Sequence, residues 1–185
     1  MHVLMVCTGN LCRSPMAEAV FRAAVERRGC DISVSSVGTW AYDGNPATDE
    51  AVEVVAARGM DLSSHRSREL AADSLARADV IVAMTSVHRR EILDVDPAVA
   101  HKVVLMKELV EMALEGDLPD SAERRLERLL GARRPEWRRA LDLDDPIGKP
   151  VGAYERTVAQ IEMGVEVLAE ALCGPSAEAD RENGA

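Results

Sequence analysis

The 185-residue chain predicts a single-domain α/β protein of three layers, a central four-stranded parallel sheet flanked by helices. Three observations carry this. Short apolar runs of strand length alternate with stretches of helical periodicity. The strand runs are apolar throughout, as in strands buried on both faces. Gly, Pro and Ser fall between the runs, where they start or stop elements. Parallel neighbours need a crossover, and helical crossovers cover both faces of the sheet they serve.

Taken in order, Val3 to Val6 is a buried strand that stops at Cys7, Thr8, Gly9 and Asn10. Ser14 as N-cap and Pro15 at the first helical position open a helix that Gly29 ends. Met16, Val20, Ala23 and Ala24 line one face of it. Ile32 to Val37 is a second strand, and Thr39 to Pro46 is a loop. Thr48 or Asp49 caps a helix from Glu50 to Arg58, closed by Gly59. Ser67 to Ala78 is predicted helical. Val80 to Met84 is a third strand, followed by a helix from Ser86 to Leu93 that stops near Pro97, and Val103 to Met106 is the fourth. Val151 to Leu172 forms a long last helix. The domain is thus expected over 1–172, with a small, polar and disordered tail at 173–185.

Composition narrows the function. Hydrophobic residues are 47% and aromatics 3%, so Val, Leu, Ala, Ile and Met must fill the core. The net charge of −10 argues against a nucleic-acid partner, because phosphate backbones need clustered Lys and Arg. No apolar run approaches the ~20 residues of a membrane span, and no signal peptide is visible, so a cytoplasmic, reducing location is expected. Cys7, Cys12, Cys30 and Cys173 are too sparse for a disulfide scaffold and lack zinc spacing, so neither metal nor cofactor is expected. Cys30 and Cys173 read as small buried hydrophobes. Residues 119–140 hold seven Arg against four acids, the solvated face of an amphipathic helix on which Leu126, Leu129 and Leu130 have helical spacing.

The chemistry lies in Cys7-Thr8-Gly9-Asn10-Leu11-Cys12-Arg13-Ser14, a C-x5-R-S segment between strand and helix. Five intervening residues can curl until successive backbone N–H groups point inward, making an anion nest at a helix N-terminus. Gly9 permits unusual dihedrals and Asn10 tolerates a left-handed one. Arg13 can close the ring with a bidentate fork. Cys7 then sits beneath the bound anion, in a field that favours its thiolate, and Ser14 can donate to the sulfur.

The segment VLMVCTGNLCRSPMAEAVF resembles the N-terminus of low-molecular-weight protein tyrosine phosphatases. The likeness continues through SSVGTW, SHRSREL, DVIVAM and DLDDP, nearly the whole chain to Leu172 except the Arg-rich part of 108–140. It implies a phosphotyrosine phosphatase with a cysteinyl-phosphate intermediate, acting on phosphorylated proteins and releasing inorganic phosphate. Cys7 matches the nucleophile, Arg13 the clamp, and Asp145 before Pro146 the general acid, with Asp144 as its neighbouring rival. Thr8, Gly9, Asn10, Leu11, Cys12 and Ser14 make the phosphate loop in this likeness. Ser36 and His65 join Asn10 and Ser14 in a supporting network, and Trp40 or Tyr42 walls the pocket. Cys12 matches a loop cysteine that can pair reversibly with the nucleophile.

Two departures bear on the substrate. Ile147 and Gly148 stand where many relatives carry Tyr after the Asp-Pro, which removes a stacking wall. Leu11 stands where relatives acting on phosphoarginine carry Thr. Protein arginine phosphatase is the alternative reading. Arsenate reduction needs relay cysteines, and residues 31–172 contain none. A silent phosphate-binding module would not need Cys7 and Asp145 together.

Overall fold

In a computed structural model, residues 1–115, 124, 127, 130 and 141–174 are described. Leu126 and Leu129, most of the Arg-rich stretch and the tail beyond 174 lie outside them. Four strands, β1 (His2–Cys7), β2 (Ser33–Gly38), β3 (Val80–Ala83) and β4 (Val103–Leu105), form one sheet in the order β2-β1-β3-β4. Every pairing is parallel, with Cys7 opposite Gly38 and Val6 opposite Ala83. The chain leaves β1 toward β2 and then returns to add β3 on its other side. The end of β1 is therefore the point at which strand order reverses, where such sheets leave a crevice.

Alternation along β1 sorts the core into two layers. Val3, Met5 and Cys7 face a cluster built with α1 (Arg13–Arg27), α2 (Asp49–Ala56), α5 (Met106–Glu115) and α6 (Val151–Cys173). Leu4 and Val6 face the layer of α3 (Ala72–Arg77) and α4 (Ser86–Val95), with a 3-10 turn at Pro97–Lys102. Leu130 packs at the margin of the first cluster. Gly164 of α6 lets that helix close on α5, since a Cβ there would lie 2.7 Å from Met106 Sδ.

Three expectations are corrected. First, α1 begins at Arg13 with Cys12 as N-cap, so Ser14 and Pro15 lie inside its first turn. Pro15 fits there because first-turn N–H groups have no partner within the helix. Ser14 spends its hydroxyl on tertiary contacts, described below, and does not cap.

Second, the helix predicted from Ser67 to Ala78 is confined to Ala72–Arg77. Residues 67–70 are held extended by tertiary bonds. Ser67 N donates to Asn45 O (2.8 Å), Arg68 N to Asn10 Oδ1 (2.9 Å) and Glu69 N to Asp43 Oδ1 (2.7 Å). Gly38 N and O bond Arg68 O and Leu70 N.

Third, Cys30 and Cys173 form a disulfide, with Cα atoms 5.8 Å apart. Cys30 follows the end of α1 and Cys173 ends α6. The two helices pack side by side and finish together, where Glu166 also pairs with Arg28. A separation of 143 residues hides this pair from any argument on local cysteine spacing. Only Cys7 and Cys12 are free.

Thiol titration of the unreduced, denatured protein is therefore expected to find two thiols, rising to four after reduction. Cys173→Ser should cost about 2–4 kcal/mol in denaturant unfolding. Four thiols before reduction would remove the bridge.

Candidate active site

The loop between β1 and α1 turns five of its carbonyl groups outward, each onto a donor. Cys7 O accepts from Thr39 N, Thr8 O from Trp40 N, and Leu11 O from Thr48 N, all at 2.9 Å. Cys12 O accepts from Met16 N at 3.0 Å, and Asn10 O lies 2.8 Å from His65 Nε2. All of the loop's peptides are trans. A trans peptide directs its N–H opposite to its C=O. The N–H groups of Thr8, Gly9, Leu11, Cys12 and Arg13 accordingly face the concave side, above Cys7.

Asn10 holds the bend. Its φ of 53° is the one positive value at a non-glycine position among the described residues. Its side chain is fully buried, with Nδ2 donating to Ser14 Oγ and to Ser36 Oγ at 2.9 Å each, and Oδ1 accepting from Arg68 N. Ser36 Oγ passes on to Glu18 Oε2 at 2.6 Å. These bonds select a left-handed backbone that Asn adopts more readily than most residues. Gly38 closes in behind. A Cβ there would stand 2.4 Å from Thr8 O, 2.8 Å from Asn10 N and 2.9 Å from Ala41 Cβ.

Cys7 Sγ lies 3.0 Å from Ser14 Oγ, which also reaches Val37 O at 3.3 Å. Burial, then the neighbouring Cys7, push the Cys12 thiol up to about 12. Cys12 is thus a protonated, buried thiol at neutral pH. Arg13 is buried; its Nη2 donates to Asp145 Oδ2 at 2.6 Å and its Nη1 to Leu143 O at 3.4 Å. Arg13 Nε is buried without a partner among the described residues. Asp145 Oδ1 accepts from Ile147 N at 3.1 Å, which fixes the carboxylate over Pro146. Its side chain is 44% exposed.

The loop bearing Asp145 is anchored to the third strand and to α4. Leu143 N donates to Met84 O at 2.9 Å, and Asp142 Oδ1 accepts from Ser86 N at 2.6 Å. Asp144 is exposed and Asp145 points inward, so the Arg13 contact separates the two carboxylates by geometry. The arrangement brings a thiol, a guanidinium, inward N–H groups and a carboxyl group to the end of one strand. Such a set can hold a tetrahedral oxyanion, attack its centre and exchange a proton.

The family model described as "Low molecular weight phosphotyrosine protein phosphatase" matches residues 2–129. The chain belongs to this family. A probable low molecular weight protein-tyrosine-phosphatase, EpsP, of Ralstonia solanacearum is 34% identical over 164 residues, covering 89% of this chain and 90% of the relative. A protein-arginine-phosphatase of Bacillus subtilis is 38% identical over 120 residues, covering 65% of this chain and 79% of the relative. The crystal structure of a low molecular weight protein tyrosine phosphatase from T. tengcongensis superposes with a TM-score of 0.74 at 35% identity, covering 93% of this chain and 99% of that one.

Among the sequence-derived candidates, Cys7 to Ser14, Ser36, His65 and Asp145 converge in one network of contacts. Trp40 N donates to Thr8 O of the loop, and Tyr42 follows two residues later. The indole of Trp40 donates to Glu91 on α4 at 2.8 Å and the residue is 71% exposed, while Tyr42 is 84% exposed. Sequence reasoning missed His88, Thr85 and Asp142. His88 is 2% exposed, with Nε2 at 2.8 Å from Thr8 Oγ1 and Nδ1 at 2.9 Å from Thr85 Oγ1. Burial, then Arg13, lower its pKa to about 4, so the ring is neutral. The Thr-x-x-His spacing at the start of α4 was its only signal.

Gly38→Ala is expected to destabilise the fold by about 1–3 kcal/mol, because the two nearest atoms a methyl group meets are backbone and cannot rotate away. It should also weaken binding of inorganic phosphate, since Thr8 and Asn10 must move. Thermal unfolding and calorimetry check both; unchanged values would mean the loop has slack.

Proposed function

We propose that this protein hydrolyses phosphotyrosine in proteins through a cysteinyl-phosphate intermediate, with 1–172 as the catalytic domain. The observation that carries the reading is the outward-facing set of loop carbonyls, which leaves five N–H groups turned to the other side of the loop between Cys7 and the buried Arg13. In this reading Arg13 and the loop N–H groups hold the three non-bridging phosphate oxygens. Displaced from Arg13 by the phosphate, Asp145 takes up a proton from solvent; Cys7 Sγ attacks phosphorus, the P–O bond to the leaving group breaks, and Asp145 gives that oxygen its proton. Asp145, now a carboxylate, takes a proton from water as the water attacks phosphorus. The S–P bond then breaks and inorganic phosphate leaves. Ser14 Oγ, beside Cys7 Sγ, stabilises the sulfur as the departing group in this second step.

Ser36, His65 and Asn10 keep the loop open without touching substrate. Trp40, Tyr42 and Ile147, all exposed at the rim, supply apolar surface for a phenyl ring. Tyr154 cannot do so, being fully buried with its hydroxyl 3.4 Å from Thr48 Oγ1. After oxidation, the sulfenic acid of Cys7 can condense with the Cys12 thiol, forming a disulfide and releasing water. No described helix is long and apolar enough to cross a membrane. A cytoplasmic location belongs to the same proposal, and the Cys30–Cys173 bridge is the observation it must accommodate.

Cys7→Ser is expected to abolish turnover and retain phosphate affinity, and acid-quenched wild type should carry phosphate on Cys7 by mass spectrometry. Asp145→Asn should lower kcat for poor leaving groups by about 10²–10⁴, with a smaller loss for activated aryl phosphates. Phosphate trapped elsewhere, or a greater loss in Asp144→Asn, would overturn these assignments.

Protein-arginine-phosphatase activity is the second reading, favoured by the relative of that name. Leu11 speaks against it. Its carbonyl is held outward by Thr48 N, and a branched apolar side chain at the loop suits a phenyl ring better than a guanidinium. The wild type should prefer phosphotyrosine peptides, and Leu11→Thr should move the kcat/KM ratio toward phosphoarginine by roughly 10–200-fold. A wild type that already favours phosphoarginine would decide for the second reading.

A further inference from the structure

His88 is a buried titratable side chain beside the site that the mechanism above leaves without a task. Both ring nitrogens are occupied by hydroxyl groups. Thr85 Oγ1, 2.9 Å from Nδ1, also caps α4 by accepting from His88 N at 3.3 Å. Thr8 Oγ1, 2.8 Å from Nε2, belongs to the residue that follows Cys7. Charged and titratable groups around the ring are Arg13, Glu91, Asp142 and Asp145. The imidazole thus bridges the start of a helix and the start of the phosphate loop.

The same first turn of α4 carries a second attachment. Ser86 N donates to Asp142 Oδ1, and Leu143 N donates to Met84 O just ahead of the helix. Asp145 lies two residues beyond Leu143. The segment 84–88 therefore holds the nucleophile's loop through a side chain and the acid's loop through its backbone. The two loops come from opposite ends of the chain, and a shift of one against the other displaces the proton donor from the leaving oxygen. Displacements near 1 Å can cost roughly 10²-fold in rate.

We propose that His88 is a positioning residue for this reaction: by binding Thr8 Oγ1 from the first turn of α4, it sets the Cys7 loop in register with the Asp145 loop anchored to that same turn. The proposal rests on the phosphatase reading. His88 touches no substrate atom in it. Its effect is transmitted through Thr8 and should vanish when Thr8 loses its hydroxyl.

The test is steady-state kinetics of the full chain with 4-nitrophenyl phosphate and with phenyl phosphate, the poorer leaving group. His88→Leu and Thr8→Val should each lower kcat roughly 10–100-fold, with KM changed only a few-fold. The loss should be larger for phenyl phosphate, because misplacing the acid matters most there. The double variant should be no slower than the slower single one, as expected of two residues acting through one contact. His88→Gln, which can place an amide near the Nε2 position, should recover most of the rate. Should His88→Leu fail to fold, as judged by thermal unfolding, Thr8→Val carries the test, since Thr8 is exposed. Wild-type kcat in Thr8→Val, additive losses in the double variant, or equal losses for both substrates would overturn the inference while leaving the phosphatase reading intact. A wild type inert toward both substrates and toward phosphopeptides would overturn the two together.

Discussion

The site depends on the outward pull on the carbonyl groups of residues 7, 8 and 10–12. A curled loop with its N–H groups converging is electrostatically unfavourable when empty, because like partial charges are brought together. Here it is held by bonds to the other side of each peptide: Trp40 and Thr39 beyond β2, Thr48 ahead of α2, His65 in the following turn, and Met16 in α1. The five donors belong to four different pieces of the fold. The loop's geometry is therefore a property of the whole first half of the chain. This explains why 67–70 runs extended where local pattern favours a helix: Arg68 N is needed by Asn10, and Gly38 takes both its backbone partners from Arg68 and Leu70.

Much of this was legible in the sequence, and the reasons are local. The strands were found within one or two residues because Val3 to Val6, Val80 to Ala83 and Val103 to Leu105 are apolar on both faces, as a sheet covered by two helical layers requires. Of the two caps the sequence offers for α2, Thr48 and Asp49, it is Thr48 whose Oγ1 accepts from Ala51 N, and Thr followed by acidic residues is a short-range signal. What escaped is non-local. Cys30 and Cys173 meet only because α1 and α6 finish together. Ser14 has the composition of a cap, yet a buried thiol and Asn10 claim its hydroxyl. His88 looked like one more polar residue at a helix start; only the parallel register of β1 and β3 sets it beside Thr8.

Composition left its mark on the chemistry as well. A chain poor in aromatics builds its core from aliphatic and sulfur-containing side chains, and the aromatic residues among those described divide sharply. Phe21 and Tyr154 are fully buried, whereas Trp40 and Tyr42 are set out at the rim. Trp40 is not loose there. Its backbone N–H binds the phosphate loop and its indole binds Glu91 on α4. The rim is thus tied to the same helix that steadies the loop, although residues 40 and 91 are distant in sequence.

The pairing of Arg13 with Asp145 makes the resting cavity its own occupant. An arriving anion meets no bare guanidinium; it must trade places with a carboxylate already seated there. Chloride and simple carboxylates offer Arg13 little that Asp145 does not, so the exchange gives them scant advantage. A phosphate dianion offers a second charge and more oxygens than one carboxylate can present, and it engages the N–H groups that Asp145 leaves untouched. An anion that binds here must therefore compensate Arg13 for the carboxylate it displaces. The same displacement releases that carboxylate from Arg13, free to take up from solvent the proton that a leaving oxygen will need.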